Sequence, residues 1–420
     1  MVDTAALTEL YKDLHAHPEL SFHETRTAGI VADRLRALGF ETATGVGGTG
    51  VVGRLRNGDG PTVLLRADMD ALPVAEETGL SYASAARGTD PAGADVPVAH
   101  ACGHDMHVTC LLGALEELAG DRADWRGTIL AVFQPAEELG GGAQAMVDDG
   151  LLDRFGTPDV VLGQHVAPFP AGMLAVRPGP AFAATDALRI RMFGKGGHGS
   201  RPETTIDPVV MAASTVLRLQ TVVSRTVAAT DTVVLTVGSL RAGTKDNIIP
   251  DEAVLEVNIR TYDRGVRTRV LDAVTRIVDA EAAAAGTTRT PEITPIDSFP
   301  VVVNDPAAVE RTAAVFRARF GEDRVVDPGL VTGSEDVGIF ATASGAPCCY
   351  WLFGGIDPEA YLAAAAAGTI ERDIPSNHSA QFAPVIEPTL TVGIEALVVA
   401  AREWLGRPDP QPTPTIGGIS

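Results

Sequence analysis

The chain has 420 residues, of which 45% are hydrophobic and 21% are charged. This length exceeds the size at which single hydrophobic cores stop growing, so we expect a globular protein with more than one domain. Lys and Arg number 33 against 54 Asp and Glu, and the resulting net charge of -21 argues against binding to nucleic acid or to anionic lipid.

The N-terminal segment Met1-Val2-Asp3-Thr4 lacks the basic start and apolar core of a secretory signal. No apolar run approaches the roughly 18 residues that cross a bilayer. We therefore expect a cytoplasmic protein without a membrane partner. Four cysteines are too few and too unevenly spaced for a disulfide framework, which leaves thiol or thiolate roles open, above all for Cys102.

Helical patterns alternate with short apolar runs in the first part of the chain. A helix is predicted from Glu24 to Leu38, closed by Gly39, and another from Met106 to Ala119. Apolar runs at Val51–Leu55 and Thr62–Leu65 lie between the two helices. This alternation predicts an α/β domain with a mostly parallel sheet flanked by helices.

Polar side chains follow three of the apolar runs, in each case past the carboxyl end of the run. Ligands gather at that end of the strands in parallel sheets. The sequence therefore places a candidate site among the residues that follow the runs: Asp68 and Asp70 after 63–65, Glu137 and Glu138 after 129–133, and His165 after 160–162.

The pattern changes near Asp186, where apolar and charged residues alternate as in a half-exposed strand. A helix is predicted from Pro208 to Val223, strands at Thr232–Leu240 and Ala253–Ile259, and an amphipathic helix from Val266 to Val278. This order is typical of a split βαβ, or ferredoxin-like, α+β fold.

We therefore predict two domains, of which one is inserted into the other. The inserted domain covers 185–299, and the discontinuous first domain covers 1–184 and 300–420. The Pro- and Gly-rich tail from Pro408 to Ser420 is expected to be mobile.

The adjacent carboxylates of Glu137 and Glu138 follow a buried apolar run. Two touching anions in a nearly dry place need a cation, and a metal centre supplies one: one carboxylate ligates the ion while its neighbour moves protons. The alternative is a pair of solvated acids at the start of a helix, where the helix dipole favours negative charge.

The segment from His100 to His107 contains three histidines and Cys102 just before a helical pattern. A helix N-terminus lowers the pKa of a thiol, and the thiolate is the form that binds metal. A nucleophilic or inert cysteine near surface histidines is the alternative. Glu138 and His165, which follow neighbouring strands at the same edge of the sheet, favour the metal.

Two further residues have open roles in the sequence. Asp70 could be a ligand, an acceptor that fixes a histidine tautomer, or a partner of Arg66, and we favour the acceptor because ligand imidazoles usually donate to a carboxylate. His378 lies far along the chain, in Pro375–Ser379, where a loop histidine bonded to water is the simpler interpretation.

The chain resembles a known group of enzymes in several segments that follow the order of that group from Leu14 to about His378. The group is that of metal-dependent amidohydrolases, which includes hippurate hydrolase, N-acyl-amino-acid amidohydrolases and plant auxin-conjugate hydrolases, within the wider aminoacylase and carboxypeptidase family. Ala380 departs from the pattern, since the family usually has proline there. The matching segments are 17–22, 66–73, 100–107, 134–138, 163–165, 196–199 and 333–336.

The resemblance implies a site with two divalent ions, in which Cys102 bridges, and a general base and acid, Glu137. It also implies that the inserted domain is a lid carrying His198, which stabilises the oxyanion and often comes from a partner subunit. Asn247 and Arg260 resemble positions that hold the substrate. A loop residue, a turn residue and a solvated charge are the respective alternatives for His198, Asn247 and Arg260. The implied ligands are Cys102, His104, Glu138, His165 and His378.

We therefore predict hydrolysis of the amide bond between an acyl or aryl-acyl group and an amino acid, by a homodimer that pairs through the lid domain. Zinc is the favoured ion, with manganese, cobalt or nickel as alternatives. A dipeptidase or carboxypeptidase is the nearest alternative function. The others are a catalytically silent, metal-braced binding protein and a cysteine-nucleophile hydrolase that uses Cys102 and His104.

Overall fold

The computed structural model describes residues 3–407. Contacts divide these residues into two compact units: unit 1 comprises 3–176, 305–327 and 340–407, and unit 2 comprises 177–304 and 328–339. The predicted mobile tail from Pro408 to Ser420 lies outside the described residues. The predicted limits of the inserted domain, 185–299, stay a prediction.

The described residues contain twelve α-helices. None of these helices is both long and apolar enough to span a bilayer. Short 3₁₀-helices lie at Pro202–Thr204 and Glu322–Arg324, and a π-helix at Val222–Thr226. The helices are α1 (Thr4–Ala16), α2 (Thr25–Ala37), α3 (His104–Gly120), α4 (Gly142–Asp148), α5 (Leu151–Phe155), α6 (Pro208–Thr221), α7 (Arg264–Ala284), α8 (Pro306–Phe320), α9 (Gly338–Ser344), α10 (Pro358–Ala367), α11 (Ile370–Asp373) and α12 (Thr389–Trp404).

Eighteen strands lie in the same described range. They are β1 (Glu41–Val46), β2 (Gly50–Asn57), β3 (Thr62–Asp68), β4 (Arg87–Thr89), β5 (Asp95–Pro97), β6 (Gly127–Gln134), β7 (Val160–Pro170), β8 (Leu174–Ala175), β9 (Gly179–Phe182), β10 (Ala184–Phe193), β11 (Gly197–His198), β12 (Val233–Ala242), β13 (Ile248–Ile249), β14 (Glu252–Thr261), β15 (Glu292–Phe299), β16 (Val302–Asn304), β17 (Val325–Val326) and β18 (Cys348–Ile356).

Unit 1 is built on an eight-stranded sheet in the order β1-β2-β6-β3-β7-β18-β8-β17. The four central strands β6, β3, β7 and β18 are parallel, and β2 pairs with β6 in the antiparallel sense. The central strands are buried almost throughout, as expected for parallel strands covered on both faces. This sheet confirms the predicted α/β class with a mostly parallel sheet.

The register of the central strands brings their carboxyl ends to one level. Asp68 of β3 is opposite Gln134 of β6, and Arg66 of β3 is opposite Gly163 of β7. His165, two residues past Gly163, therefore lies at the level of Asp68. The polar residues that follow the apolar runs are thus delivered to one edge of the sheet, as predicted.

Helix α3 is buried on nearly every side, which explains why its sequence is apolar all round rather than amphipathic. It packs against α1, α12 and the strands β3 and β7. The approach is close at Gly113, where an added Cβ would lie 2.7 Å from side-chain carbons of Leu7 in α1 and Ile394 in α12. This packing fixes the position of the start of α3, which carries His104 and follows directly after Cys102 and Gly103.

Unit 2 contains a four-stranded antiparallel sheet in the order β12-β14-β10-β15. Along the chain its elements follow as β10, α6, β12, β14, α7 and β15, which is the predicted split βαβ order. Alternate residues of β14, namely Leu255, Val257 and Ile259, are buried in a core shared with α6 and α7. The predicted alternation of this strand is therefore confirmed.

Candidate metal centre

Six side chains of unit 1 that are capable of binding metal or moving protons meet at the carboxyl ends of the parallel strands. They come from the first turn of α3 and the residues just before it, the loop after β6, the middle of β7 and the loop after α11. The atoms that could ligate a metal lie within 4.8 Å of one another in three overlapping groups: Cys102, His104 and His165; Cys102, Glu138 and His378; and His104, Glu137 and Glu138.

Two of these groups share Cys102. Its Sγ atom lies 3.4 Å from Nε2 of His165. In the second group, Nε2 of His378 lies 3.3 Å from Oε1 of Glu138, which is itself 3.9 Å from Nε2 of His104. The sulfur of Cys102 therefore lies close to two sets of candidate donors.

The histidines present their ligating nitrogens because the other ring nitrogen is engaged. Nδ1 of His104 is 2.8 Å from the carbonyl oxygen of Asp70, and Nδ1 of His165 is 2.7 Å from the carbonyl oxygen of Val166. A carbonyl oxygen only accepts, so Nδ1 carries the proton in both rings. The lone pair of Nε2 is then directed at the cluster, as a metal ligand requires.

The donor set fits divalent cations. Nε2 of His104 and Oε1 of Glu138 are buried, and neither makes a hydrogen bond within residues 3–407. Buried polar atoms in native proteins are nearly always paired, and a cation would satisfy both. Imidazole nitrogen, thiolate sulfur and carboxylate oxygen are together the ligands of zinc and related transition metals.

Burial changes the expected acidity of Cys102. The sequence suggested a thiol pKa lowered by the helix N-terminus, but burial, followed by the charges of Glu138 and Glu137, raises the pKa of Cys102 well above its usual value. Burial and the two carboxylates together thus outweigh the effect of the helix dipole on the Cys102 thiol. A cation at this position would reverse the balance, because it favours the thiolate.

The pKa of His104 is also raised, but here the cause is a different pair of carboxylates, those of Asp68 and Asp70. Burial alone would lower the pKa of His104, but the charge of Asp68 and the hydrogen bond and charge of Asp70 outweigh burial and raise the pKa to about 10. A cation bound at Nε2 would compete with the proton that this raised pKa favours, so metal binding there would release a proton.

Asp70 contacts three parts of the site. Its Oδ2 accepts hydrogen bonds from the Ser21 hydroxyl at 2.7 Å and from the Glu138 backbone N–H at 3.0 Å. Its Oδ1 lies 3.2 Å from Nδ1 of His104. Arg66, the other partner considered for Asp70, forms a 2.5 Å ion pair with Asp68. These contacts place Asp70 behind His104, where it orients the ring.

Glu137 lies beside the cluster with only 5% of its surface exposed. Its Oε2 is 4.0 Å from Nε2 of His104. The adjacent Glu138 reaches His378 and His104, so the two neighbouring carboxylates occupy different places in the same cluster.

The sequence interpretation missed a buried pair next to the ligands. Nδ1 of His107 lies 2.5 Å from Oδ1 of Asp68, and Nε2 of His107 accepts the backbone N–H of Val166 at 2.8 Å. One signal was present in the sequence: His107 is three residues after His104, so the two rings share a face of α3. The pair holds the backbone that follows His165.

His198 and Asn247 lie together in unit 2. His198 of β11 pairs with Ile248 of β13, and the Gly199 N–H donates to the carbonyl oxygen of Asn247 at 2.9 Å. Nδ1 of His198 accepts the Ser200 N–H at 3.1 Å, so the proton of the neutral ring is on Nε2. The exposed ring thus presents a donor to its surroundings.

Arg260, also in unit 2, points at the loop that follows β17. Its Nη1 donates to the carbonyl oxygen of Thr332 at 2.5 Å and to Oγ of Ser334 at 3.3 Å. The residue is therefore engaged with a neighbouring loop and is not simply a solvated charge. The remaining N–H groups of its guanidinium fork can still bind a carboxylate.

The parallel α/β sheet, with nitrogen, sulfur and oxygen donors at its carboxyl edge and a second carboxylate beside them, defines a metallohydrolase. Residues 64–373 match the model of the peptidase family M20/M25/M40. The chain belongs to this family, which confirms the resemblance found in the sequence, and it is a metal-dependent amidohydrolase.

Individual proteins similar to this chain agree with the family assignment. Thermostable carboxypeptidase 1 of Saccharolobus solfataricus is 38% identical over 353 residues, covering 83% of this chain and 85% of the relative. An N-acyl-L-amino acid amidohydrolase of Geobacillus stearothermophilus is 41% identical over 278 residues, covering 66% and 72%. The solved structure of a dinuclear metal binding peptidase of the M20 family from Bacillus subtilis has a TM-score of 0.76 at 28% identity, covering 96% of this chain and 98% of that one.

Proposed function

We propose that this protein hydrolyses the amide bond between an acyl or aryl-acyl group and an amino acid, and releases a carboxylic acid and a free amino acid. The observation that carries the proposal is the placement of Glu137 beside a buried cluster of ligating atoms at the edge of the sheet. The similar protein from Geobacillus stearothermophilus is named for this activity.

We propose that two divalent ions bind, with Cys102 between them. The two ligand groups that share its sulfur support this number, as does the description of the similar Bacillus subtilis structure as dinuclear. Zinc is the first candidate for this donor set, and manganese, cobalt and nickel are alternatives. When bound, such ions lower the pKa of a water molecule and polarise the scissile carbonyl group.

In this proposal Glu137 is the group that moves the proton. It accepts a proton from the attacking water and passes it to the nitrogen of the departing amine. A positioned acid/base group of this kind contributes roughly 10² to 10⁴ in rate. The nearly complete burial of Glu137 keeps bulk water from competing for this proton.

Residues of unit 2 complete the proposed reaction. His198 donates from Nε2 to the oxyanion that develops on the carbonyl oxygen, and the tautomer fixed by Ser200 suits this role. Asn247 holds the amide or carboxylate of the substrate. Arg260 keeps N–H donors for a carboxylate while Nη1 is bound to the loop at Thr332.

We also propose that the protein is a homodimer through the lid domain. Strand β12 ends the four-stranded sheet, so within the described chain one of its edges has no partner strand. This ten-residue edge contains a single charge, Arg241, whereas exposed edges are usually protected by charges or proline. Val234 and Leu240 of the strand, and Val210 and Leu217 of α6, are exposed and would be covered in a dimer.

The proposal is tested by metal analysis of the purified protein followed by a substrate panel. The panel compares hippurate, N-acetylated amino acids, free dipeptides and longer peptides. We expect about two ions per chain and the highest kcat/KM for acylated amino acids. A preference for peptides would favour a carboxypeptidase instead, the function for which the Saccharolobus relative is named.

A chelator experiment addresses the remaining alternatives. Removal of the metal should abolish turnover, and added zinc or manganese should restore it. Activity that survives chelation but is lost on thiol alkylation would identify Cys102 as a nucleophile. If the protein binds metal but cleaves none of the substrates, the result would favour a catalytically silent, metal-braced binding protein.

A further inference from the structure

Glu24 is a buried carboxylic acid that precedes helix α2 but does not cap it. It is the N-cap residue of α2, yet its side chain makes no capping hydrogen bond to that helix. The carboxylate of Glu19 caps α2 instead, because it accepts the backbone N–H groups of Arg26 at 2.9 Å and Thr27 at 2.8 Å. Glu24 is fully buried and its carboxyl group is directed elsewhere.

The carboxyl group of Glu24 joins segments that are far apart in sequence. Its Oε1 accepts the backbone N–H of Ala136 at 2.8 Å, and its other oxygen accepts a hydrogen bond from the hydroxyl of Thr49 in the turn between β1 and β2. Ala136 stands between strand β6 and Glu137. Glu24 is therefore hydrogen-bonded to the backbone immediately before the two carboxylates of the candidate metal centre.

Ala136, whose backbone N–H binds Glu24, has an unfavourable backbone conformation. Ala136 has a φ of +47°, in the left-handed region, which costs a residue with a Cβ roughly 1–2 kcal/mol. Such a residue persists only where its surroundings hold it. On the carbonyl side, Ala136 accepts the Gly142 N–H at 3.2 Å, and on the amide side it is held by Glu24.

Left-handed non-glycine residues are rare in this chain and lie next to the site. Within residues 3–407 the other two are Phe22 and His378. Phe22 follows Ser21, which binds Asp70, and His378 is a candidate ligand. Strained backbone of this kind clusters where structure must place functional groups.

We propose that Glu24 is a positioning residue of this centre: its carboxyl group holds the turn at Ala136 and thereby sets the directions in which Glu137 and Glu138 project. The inference rests on the proposed hydrolase function and deepens it, since it names a residue that acts on the acid/base group through the backbone.

The geometry of the acceptor oxygen, rather than its charge, is what the proposal requires. Burial, with a smaller contribution from the charge of Asp70, raises the pKa of Glu24 to about 7, so its neutral form is readily populated near neutral pH. Glu24→Gln keeps an acceptor oxygen in place without the charge. Glu24→Asp keeps the acid but withdraws the acceptor by about 1.5 Å, the length of one C–C bond.

The experiment titrates metal-free full-length protein with zinc and with manganese by calorimetry, and measures kcat and KM on N-acyl amino acids in parallel. We expect Glu24→Asp to bind the ions roughly 10–100-fold more weakly. Its kcat should fall about 10²-fold while KM changes little, because Glu24 touches no substrate. Glu24→Gln should stay near wild type in both measurements, and Thr49→Val, which leaves the Ala136 hydrogen bond intact, should also stay close to it.

A double variant separates positioning from simple stabilisation. Glycine adopts the left-handed conformation without strain, so Glu24→Asp/Ala136→Gly should regain the unfolding free energy that Glu24→Asp loses. Metal affinity and kcat of this double variant should stay low, because no acceptor oxygen then holds the glycine turn in the one direction that places Glu137 and Glu138. Recovery of all three quantities would overturn the proposal.

Two other results would overturn it. One is a folded Glu24→Asp variant with wild-type metal affinity, and the other is equal impairment of Glu24→Gln and Glu24→Asp, which would make the charge the important feature. The metal titration does not depend on turnover. If wild type cleaves no acyl amino acid while Glu24→Asp still loses metal affinity, then the proposed function fails and the positioning role stands.

Discussion

His104, His107 and His165 lie at the candidate metal centre and differ in the hydrogen bonds that they make away from it. His104 and His165 each donate from Nδ1 to a backbone carbonyl and keep Nε2 for a ligand. His107 has both nitrogens engaged, with Asp68 on Nδ1 and the Val166 N–H on Nε2. Although His107 lies close enough to Asp68 and His104 to be considered for a metal group, it has no lone pair left to offer. Within the short segment from His104 to His107, hydrogen bonding therefore distinguishes a candidate ligand from a residue that supports the site.

Glu137 gives the first prediction at this scale. Glu137→Gln keeps the shape and hydrogen-bonding capacity of the side chain but cannot accept the proton from water. We expect kcat to fall by roughly 10² to 10⁴. Metal content, measured by elemental analysis, should stay at the wild-type value. Loss of metal together with activity would show that Glu137 is a ligand and not the base.

His15 gives a pH-dependent prediction. This buried ring lies between two carboxylates, 2.6 Å from Asp105 and 3.0 Å from Glu76. Burial alone would lower the pKa of His15, but these carboxylates outweigh it and raise the pKa to about 10. The folded state thus holds the proton more tightly than the unfolded state, whose pKa is about 6.5. The stabilisation is complete below that pH and is lost as the pH rises towards 10.

Urea unfolding of metal-free protein between pH 6.5 and pH 10 measures this effect. The unfolding free energy of wild type should decline over this range by at least about 1.4 kcal/mol, the equivalent of one pKa unit. His15→Gln should be less stable at pH 6.5 and show a flatter decline. The exposed His17→Gln serves as the control and should retain the wild-type slope. Equal slopes in wild type and His15→Gln would contradict the assignment.

At the scale of elements, the sequence predicted those features that depend on local pattern. The runs before Asp68, Glu137 and His165 are strands with their carboxyl ends at one edge, because apolar periodicity and the geometry of parallel sheets suffice for that inference. The contacts that support these residues could not be predicted in the same way. Glu24 and Ala136 are separated by 112 residues, and nothing local in the sequence pairs them.

A similar limit applies to the acidity of Cys102. The helix N-terminus is visible in the sequence and predicts a lowered thiol pKa, but the opposing carboxylates come from other elements, and burial is a property of the whole packing. The sequence therefore places the residues that follow the strands at one edge of the sheet, but it does not give the burial and charge that surround Cys102 there.

The glycine that begins α3 gives a prediction at the scale of elements. Gly103 is the N-cap residue, with a φ of +86°, and an added Cβ would lie 2.4 Å from Cγ1 of Val166. Gly103→Ala should lower the unfolding free energy by at least roughly 1–2 kcal/mol, the cost of a left-handed residue. Since Gly103 lies between Cys102 and His104, it should also weaken metal binding in a calorimetric titration.

Gly120, at the other end of the same helix, provides the matched control. No atom lies within 4 Å of a Cβ added there. Alanine is favoured over glycine in a helix by roughly 0.5–1 kcal/mol, so Gly120→Ala should leave stability unchanged or raise it. Equal effects of the two substitutions would show that the backbone of Gly103 is not under the constraint described.

At the scale of the whole molecule, the proposed roles are divided between the two units. Unit 1 carries the ligand cluster and Glu137, while unit 2 carries His198 and Arg260. The proposed reaction therefore assigns roles to side chains of both units. If the protein is a dimer, His198 can be supplied by the partner chain, as the resemblance to the amidohydrolase group implies.

Mixing two inactive variants tests this arrangement. Glu137→Gln lacks the base and His198→Ala lacks the oxyanion donor, so each alone should be nearly inactive. Co-expressed with different affinity tags, they form mixed dimers. If His198 acts in the partner's site, each mixed dimer has one complete site, and about a quarter of wild-type activity should return when chains assort at random.

The outcome separates the possible arrangements. Activity should appear in the doubly purified mixed dimer and be absent from either homodimer. If His198 acts within its own chain, no mixed dimer contains both groups at one site, and activity stays at the level of the single variants. A third result, near-normal turnover of His198→Ala alone, would remove His198 from the mechanism and leave the stabilisation of the oxyanion to unit 1.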